Sequence, residues 1–180
     1  MEMRIKTALY AYPQLERLGR DYEEHIKNKA MLSYGSRWAT EKLTEYIATE
    51  IVRKQNVYRL KEELDKILSR LNEEERLLLE ARYFGKMDRV RRLFAAQEAG
   101  LTKTVVKPWC ERTYYRKQAK VLKKIVGLFK AGGMDESNFD ETYLDVEYLG
   151  LLFQYVAAGK EVGICKKERQ LLEFLKTLNA

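Results

Sequence analysis

LNEEERLLLEARYFG (residues 71–85) and ERTYYRKQAKVLKKIVGLF (residues 111–129) are the two stretches on which the reading of this chain turns. In the first, Asn72 is followed three residues later by Glu75, the spacing of a capping pair. The amide oxygen can take a free N–H of the first helical turn, and the glutamate can reach back to the cap's own N–H. Glu73, Glu74 and Glu75 also stand where the positive end of a helix dipole favours carboxylates. The spacing predicts a helix that starts here, turns Leu77, Leu78, Ala81 and Phe84 inward, and stops near Gly85.

The second stretch has helical periodicity over residues 112–129. It places Tyr115, Ala119, Leu122, Val126 and Phe129 on one face, flanked by Tyr114, Val121, Ile125 and Leu128. Arg116, Lys117, Lys120, Lys123 and Lys124 fall largely on the other side, and Ala131-Gly132-Gly133 ends the pattern. Between the two stretches, residues 89–99 are again helical in pattern, with Val90, Leu93, Phe94 and Ala96 or Gln97 apolar and Gly100 just past the end. Residues 101–109 are rich in β-branched side chains and precede Lys107-Pro108, which predicts a loop that can include a short strand.

Charge follows the same division. The chain of 180 residues has a net charge of +7, but residues 86–130 alone hold 13 basic residues against 3 acidic ones, +10. Residues 134–180 hold 5 against 9, −4, and residues 1–85 are close to neutral. A basic field confined to one part of a chain is the polarity of a nucleic-acid footprint, or of a lysine-rich helix that is simply solvated.

Upstream, Leu15, Leu18, Tyr22 and Ile26 recur at helical spacing and predict a helix beginning near Pro13, a residue suited to a first turn. Ile5, Thr7 and Leu9 alternate weakly, as in a short extended arm or coil, and Tyr34-Gly35-Ser36 reads as a turn. A long helical pattern then runs from about residue 37 through Leu43, Ile47 and Ile51, and continues as Val57, Leu60, Leu64, Ile67 and Leu71. That narrow seam suits two packed antiparallel helices or a coiled-coil homodimer. Two further helices are predicted in the acidic tail, near residues 139–158 and 166–178.

The expected fold is all-α and multi-helical, in three regions: 1–70 as a long antiparallel N-terminal hairpin for protein interaction, 71–130 as a DNA-binding core, and 134–180 as a small acidic helical tail. Hydrophobic residues make up 46% of the chain, which argues against disorder. No run approaches the roughly 18 apolar residues of a membrane span, and the N-terminus lacks the apolar block of a signal peptide, so a soluble cytoplasmic protein is expected.

Cys110 and Cys165 form no CxxC pair and share the chain with one histidine, His25, so no zinc site and no cofactor are expected, and reduced thiols are favoured over a disulfide. The acids Asp135, Glu136, Asp140, Glu141, Asp145 and Glu147 read as a solvated helix start, a divalent-metal or acid/base site, or a countercharge to the basic segment or a basic partner. His25, beside Glu23 and Glu24, reads as exposed rather than catalytic; Trp38 and Trp109 read as core or hinge plugs. Hydrolase, nucleotide-binding and dinucleotide fingerprints are absent, and an enzyme is not expected.

The two quoted stretches resemble a known family. Residues 71–85 look like the opening of the fourth region of sigma factors, where an acidic cap leads into a helix ending in Tyr-Phe-Gly. Residues 111–125 look like that region's recognition helix, and still more like the same helix in phage late-gene transcription regulators of the ArpU and RinA type. The resemblance covers about one third of the chain. It implies a helix-turn-helix in which one helix braces the phosphate backbone and the next enters the major groove of duplex DNA. By position, Arg112, Thr113, Tyr115 and Arg116 would then lie at base edges, and Lys117, Lys120 and Lys124 on phosphates. RNA polymerase or another protein would meet the N-terminal helices. The chain departs from the pattern in the length of residues 86–109, in Cys110 where a serine cap is usual, and in Gln118 where a leucine points into the core. A helical protein-interaction module that keeps the sigma-like fold without binding DNA is the alternative reading.

Overall fold

Helix α1 spans Glu2–Leu32 and α2 spans Thr40–Ser69. They pack side by side and antiparallel, because their contacts run in opposite order along the two. Tyr12 donates to Asp65 at 2.6 Å, Gly19 meets the Tyr58 ring, Glu23 pairs with Lys54 at 3.6 Å, and His25 meets Tyr46 at 2.8 Å. The close approach at the second of these contacts needs a glycine: a Cβ on Gly19 would lie 2.6 Å from Tyr58 Cζ. The computed structural model describes residues 1–32, 40–100 and 109–159, apart from the side chains of Leu32, Thr40, Met87 and Glu98.

The expected start at Pro13 is corrected. Helix α1 begins eleven residues earlier, Pro13 lies exposed inside it, and the segment read as an arm or coil is helical. Ile5, Ala8, Leu9 and Leu15 form a fully buried stripe at helical spacing. An interior proline costs about 3 kcal/mol. Burying each large apolar side chain of that stripe contributes about 1.5–3 kcal/mol, which outweighs it. Contacts far along the chain hold the extra turns: the Met1 amino group pairs with Glu136, and Arg4 bridges Glu136 and Asp140.

The expected seam is buried within the single chain along Val57, Leu60, Leu64 and Ile67 of α2 and at Leu71 just past its end. Its upstream continuation is weaker: Leu43 and Ile47 are half-buried and Ile51 is exposed. Three helices follow, α3 (Glu73–Arg82), α4 (Met87–Glu98) and α5 (Glu111–Ala131). Helix α5 ends as expected, with Gly133 at φ 82°, a backbone conformation that side chains disfavour.

The single tail helix expected over residues 139–158 is broken instead. A short α6 (Glu136–Phe139), capped by Asp135 through the Asn138 amide at 2.8 Å, runs into a π-helical turn at Asp140–Leu144, and α7 follows at Glu147–Ala157. The break falls where Arg53 forks onto Asp145, at 3.0 and 3.2 Å, and where Tyr143 is buried with its hydroxyl donating to Glu63 at 2.8 Å.

One cluster of buried side chains runs from Ile5 through Leu60, Leu78, Phe94, Tyr114 and Phe129 to Leu149. Every regular element among the described residues is helical, and none is long and apolar enough to cross a membrane. The turn expected at residues 34–36, the loop at 101–108, the helix at 166–178, Trp38 and Cys165 lie outside the described residues.

Candidate nucleic-acid interface

The capping box of α3 forms as its spacing requires. Asn72 Oδ1 accepts from the Glu75 amide at 2.8 Å, and the Asn72 amide donates to Glu75 Oε2 at 3.0 Å. The cap aims the first turn of α3 at α5, where Glu75 also takes Lys124 at 2.7 Å and Glu74 takes Lys117. Glu74 has a second donor, the Trp109 indole N–H at 2.9 Å. Burial works to raise the Glu74 carboxyl, but the Lys117 ammonium and the indole outweigh it and hold its pKa below the usual carboxylate range.

Trp109 is a core plug, as its type suggested. It is 2% exposed, edge-on to Phe94 at 5.4 Å and tilted against Tyr114 at 5.8 Å. It therefore anchors the residue pair that leads into α5 to both α3 and α4. Gln118 is buried and donates to the Leu78 carbonyl at 3.0 Å. A polar residue can stand there because its amide has a partner on α3.

The inward face of α5 differs from the one expected. Tyr114, Gln118, Val121, Leu122, Ile125 and Phe129 are buried, whereas Tyr115 and Ala119 are exposed. The helix is rotated about one residue from the reading that centred on Tyr115, because its leading half must seat Tyr114 against Trp109 and Gln118 against α3. The Tyr115 ring instead lies 5.8 Å from the Arg82 guanidinium.

At the start of α5, Cys110 is the cap residue but makes no side-chain cap bond to the helix. Its Sγ lies 3.1 Å from Thr113 Oγ1, and hydrogen bonding to Thr113 draws the thiol below its ordinary pKa. Thr113 is thereby half-buried and turned toward Cys110, while Arg112, Arg116 and Lys120 are exposed. Among the described residues no carboxylate lies within 4.0 Å of these three.

Of the seven residues singled out in the sequence, the structure thus divides Arg112, Tyr115, Arg116 and Lys120, which face solvent, from Lys117 and Lys124, which are tied to α3, and from Thr113. A groove of about 860 Å³ runs between α3 and α5, with Leu78 and Val121 in its floor, Glu74 and Glu75 on one wall and Arg116 and Lys120 on the other. The pairing of α3 glutamates with α5 lysines was not legible from spacing, since the partners are 43 and 49 residues apart.

Among the described residues of the acidic tail, 134–159, the paired carboxylates turn to other helices. Glu136 and Asp140 bind Arg4, and Asp145 binds Arg53, so its carboxylates clamp α1 and α2. Among the described residues no cluster of three potential metal ligands occurs. His25 is exposed and bonded to the Tyr46 hydroxyl. No family model matches the chain, and neither a curated protein nor a solved structure does.

Proposed function

We propose that the chain is a DNA-binding transcription regulator of sigma-factor-like type that presents α5 to the major groove of duplex DNA. The observation that carries this reading is the exposed face of α5, where Arg112, Arg116 and Lys120 stand beside Tyr115 with no carboxylate within 4.0 Å among the described residues. Arginine bonds guanine at two atoms, so Arg112 and Arg116 supply base readout, and Lys120 supplies a sequence-blind charge for phosphate. Helices α1 and α2 are then the surface for RNA polymerase or another protein.

Fluorescence anisotropy of a labelled duplex titrated with the full chain at low salt tests the reading. Binding that weakens steeply with salt, and is lost on reversing both charges in R112E/R116E, is the expected result. No binding at low salt overturns it.

A second reading, a helical protein-interaction module, has its own observation. Leu151 is 59% exposed on α7, with Tyr148 and Tyr155 exposed near it. Under that reading R112E/R116E leaves partner binding unchanged.

A further inference from the structure

Between Arg112 and Ala131 helix α5 holds seven cations and no carboxylate. The other long helices are different: α1 and α2 stabilise themselves with pairs four residues apart, Glu2 with Lys6, Arg17 with Asp21, Arg59 with Glu63 and Lys61 with Asp65. On α5 the residues four apart carry like charge, at Arg112 and Arg116, Arg116 and Lys120, and Lys120 and Lys124. Like charges at that spacing weaken a helix, and of these four only Lys124 has a carboxylate partner among the described residues. A local rule broken without a compensating contact in the fold is the mark of a site shaped for something else.

The structure sorts the seven into two sets. Lys117 and Lys124 lean to α3 and are held by Glu74 and Glu75. Arg112, Arg116, Lys120, Lys123 and Lys130 are exposed, with no carboxylate within 4.0 Å among the described residues. Lys123 helps to lower the Glu2 carboxyl, behind Lys6, and Lys130 helps to lower Glu136, behind the Met1 amino group, but neither lysine pairs with that carboxylate.

At 100° per residue Arg112, Arg116, Lys123 and Lys130 fall within roughly 40° of the helix circumference, with Lys120 beside them, and the line is about 27 Å long at 1.5 Å per residue. Docking by the tip alone engages the first turns and has no use for cations at 123 and 130. The opposite face of α5 is buried in the body along its length, and all five cations of the line are exposed among the described residues.

We infer that α5 meets duplex DNA side-on, with Arg112, Arg116, Lys120, Lys123 and Lys130 forming one phosphate-binding line and with Lys117 and Lys124 withdrawn from it by Glu74 and Glu75. The inference rests on the reading that α5 binds DNA, and adds which cations do so. It replaces the assignment of Arg112 and Arg116 to base edges and of Lys117 and Lys124 to phosphates, and brings in Lys123 and Lys130.

The test is the salt dependence of binding to a labelled duplex of about 30 base pairs, longer than the line at 3.4 Å per pair. Each neutralised phosphate contributes about −0.9 to the log-log slope, so five give about −4.5 for the full chain. K123A/K130A should reduce the slope by about 1.8, and K117A/K124A should leave it unchanged. Freeing both lysines in E74Q/E75Q, which keeps the cap's amide partners, should steepen it by about 1.8. Unchanged binding in K123A/K130A together with a reduced slope in R112A/R116A would mean tip-first docking and overturns the inference while leaving DNA binding intact. A slope unaltered in E74Q/E75Q overturns the withdrawal of the two lysines. Absence of binding by the full chain at low salt overturns the DNA reading itself, and this inference with it.

Discussion

The indole N–H of Trp109 and the ammonium of Lys117 converge on one oxygen of Glu74, with the indole at 2.9 Å. That carboxylate joins the first turn of α3, the residue leading into α5 and the second turn of α5. The position of the cationic helix therefore depends on an acid in a different helix. Glu74→Ala removes two hydrogen bonds, one of them charge-assisted, and leaves a buried indole N–H without its acceptor. A loss of about 1–3 kcal/mol in urea denaturation is expected. Glu74→Gln, which retains an acceptor for Trp109, should lose less; equal losses would mean that the indole contact contributes nothing.

Acid should weaken the fold through the tail clamp. The hydrogen bond from Arg4 holds Asp140 below its ordinary pKa, and the hydrogen bond from Arg53 does the same for Asp145. A carboxyl with a folded pKa below its unfolded value contributes stability that is present above the unfolded pKa, about 4, and lost as pH falls through the folded one. The urea midpoint should accordingly drop as the pH falls from about 5 to about 3. Arg4→Ala should lower the midpoint at neutral pH and flatten that acid limb, because Asp140 then titrates closer to its unfolded pKa. An acid limb as steep as the parent's would show that Arg4 is not its source.

Gly19 and Tyr58 make a pair whose coupling has a predictable sign. Alanine is favoured over glycine in a helix by about 1 kcal/mol, but its Cβ would meet the Tyr58 ring at 2.6 Å. Overpacking of this kind costs roughly 1–3 kcal/mol, so Gly19→Ala should be neutral to destabilising. Once Tyr58→Ala has removed the ring, adding Gly19→Ala should stabilise by about 1 kcal/mol. A double-mutant cycle read by thermal unfolding checks this, and an additive result would mean that the ring swings aside freely.

Gln118 offers a test of how a buried polar residue is tolerated. The Leu78 carbonyl that accepts from it can still accept within α3, so Gln118→Leu leaves no backbone group stranded and adds apolar burial. A change of less than about 1.5 kcal/mol is expected, in either direction. Gln118→Glu places a charge in the same site and should destabilise far more at neutral pH than at pH 4, roughly the carboxyl's own pKa. Urea denaturation at both pH values measures the difference.

Local signals were legible wherever the physics is local. Asn72 and Glu75 are three residues apart, and their cap forms as read; the seam from Val57 to Leu71 is buried; the end of α5 falls at its paired glycines. The start of α1 was misread because Pro13 is a good first-turn residue in isolation. The turns before it are secured by Glu136 and Asp140, which stand more than 130 residues away. The tail helix was read as continuous because hydrophobic period does not reveal a π-helical turn seated against α2.

Of the candidate interface, the residue types and the cationic helix could be read directly, since charge density and period are properties of the chain. The rotation of α5, and with it which cations are spent within the protein, was settled only when Trp109, Tyr114 and Gln118 found places against α3 and α4. Periodicity defines a face to within a residue or so, and packing chooses among neighbouring faces. An ion pair between helices needs two side chains brought together by the whole fold, so no stretch of sequence announces that Lys117 and Lys124 belong to Glu74 and Glu75.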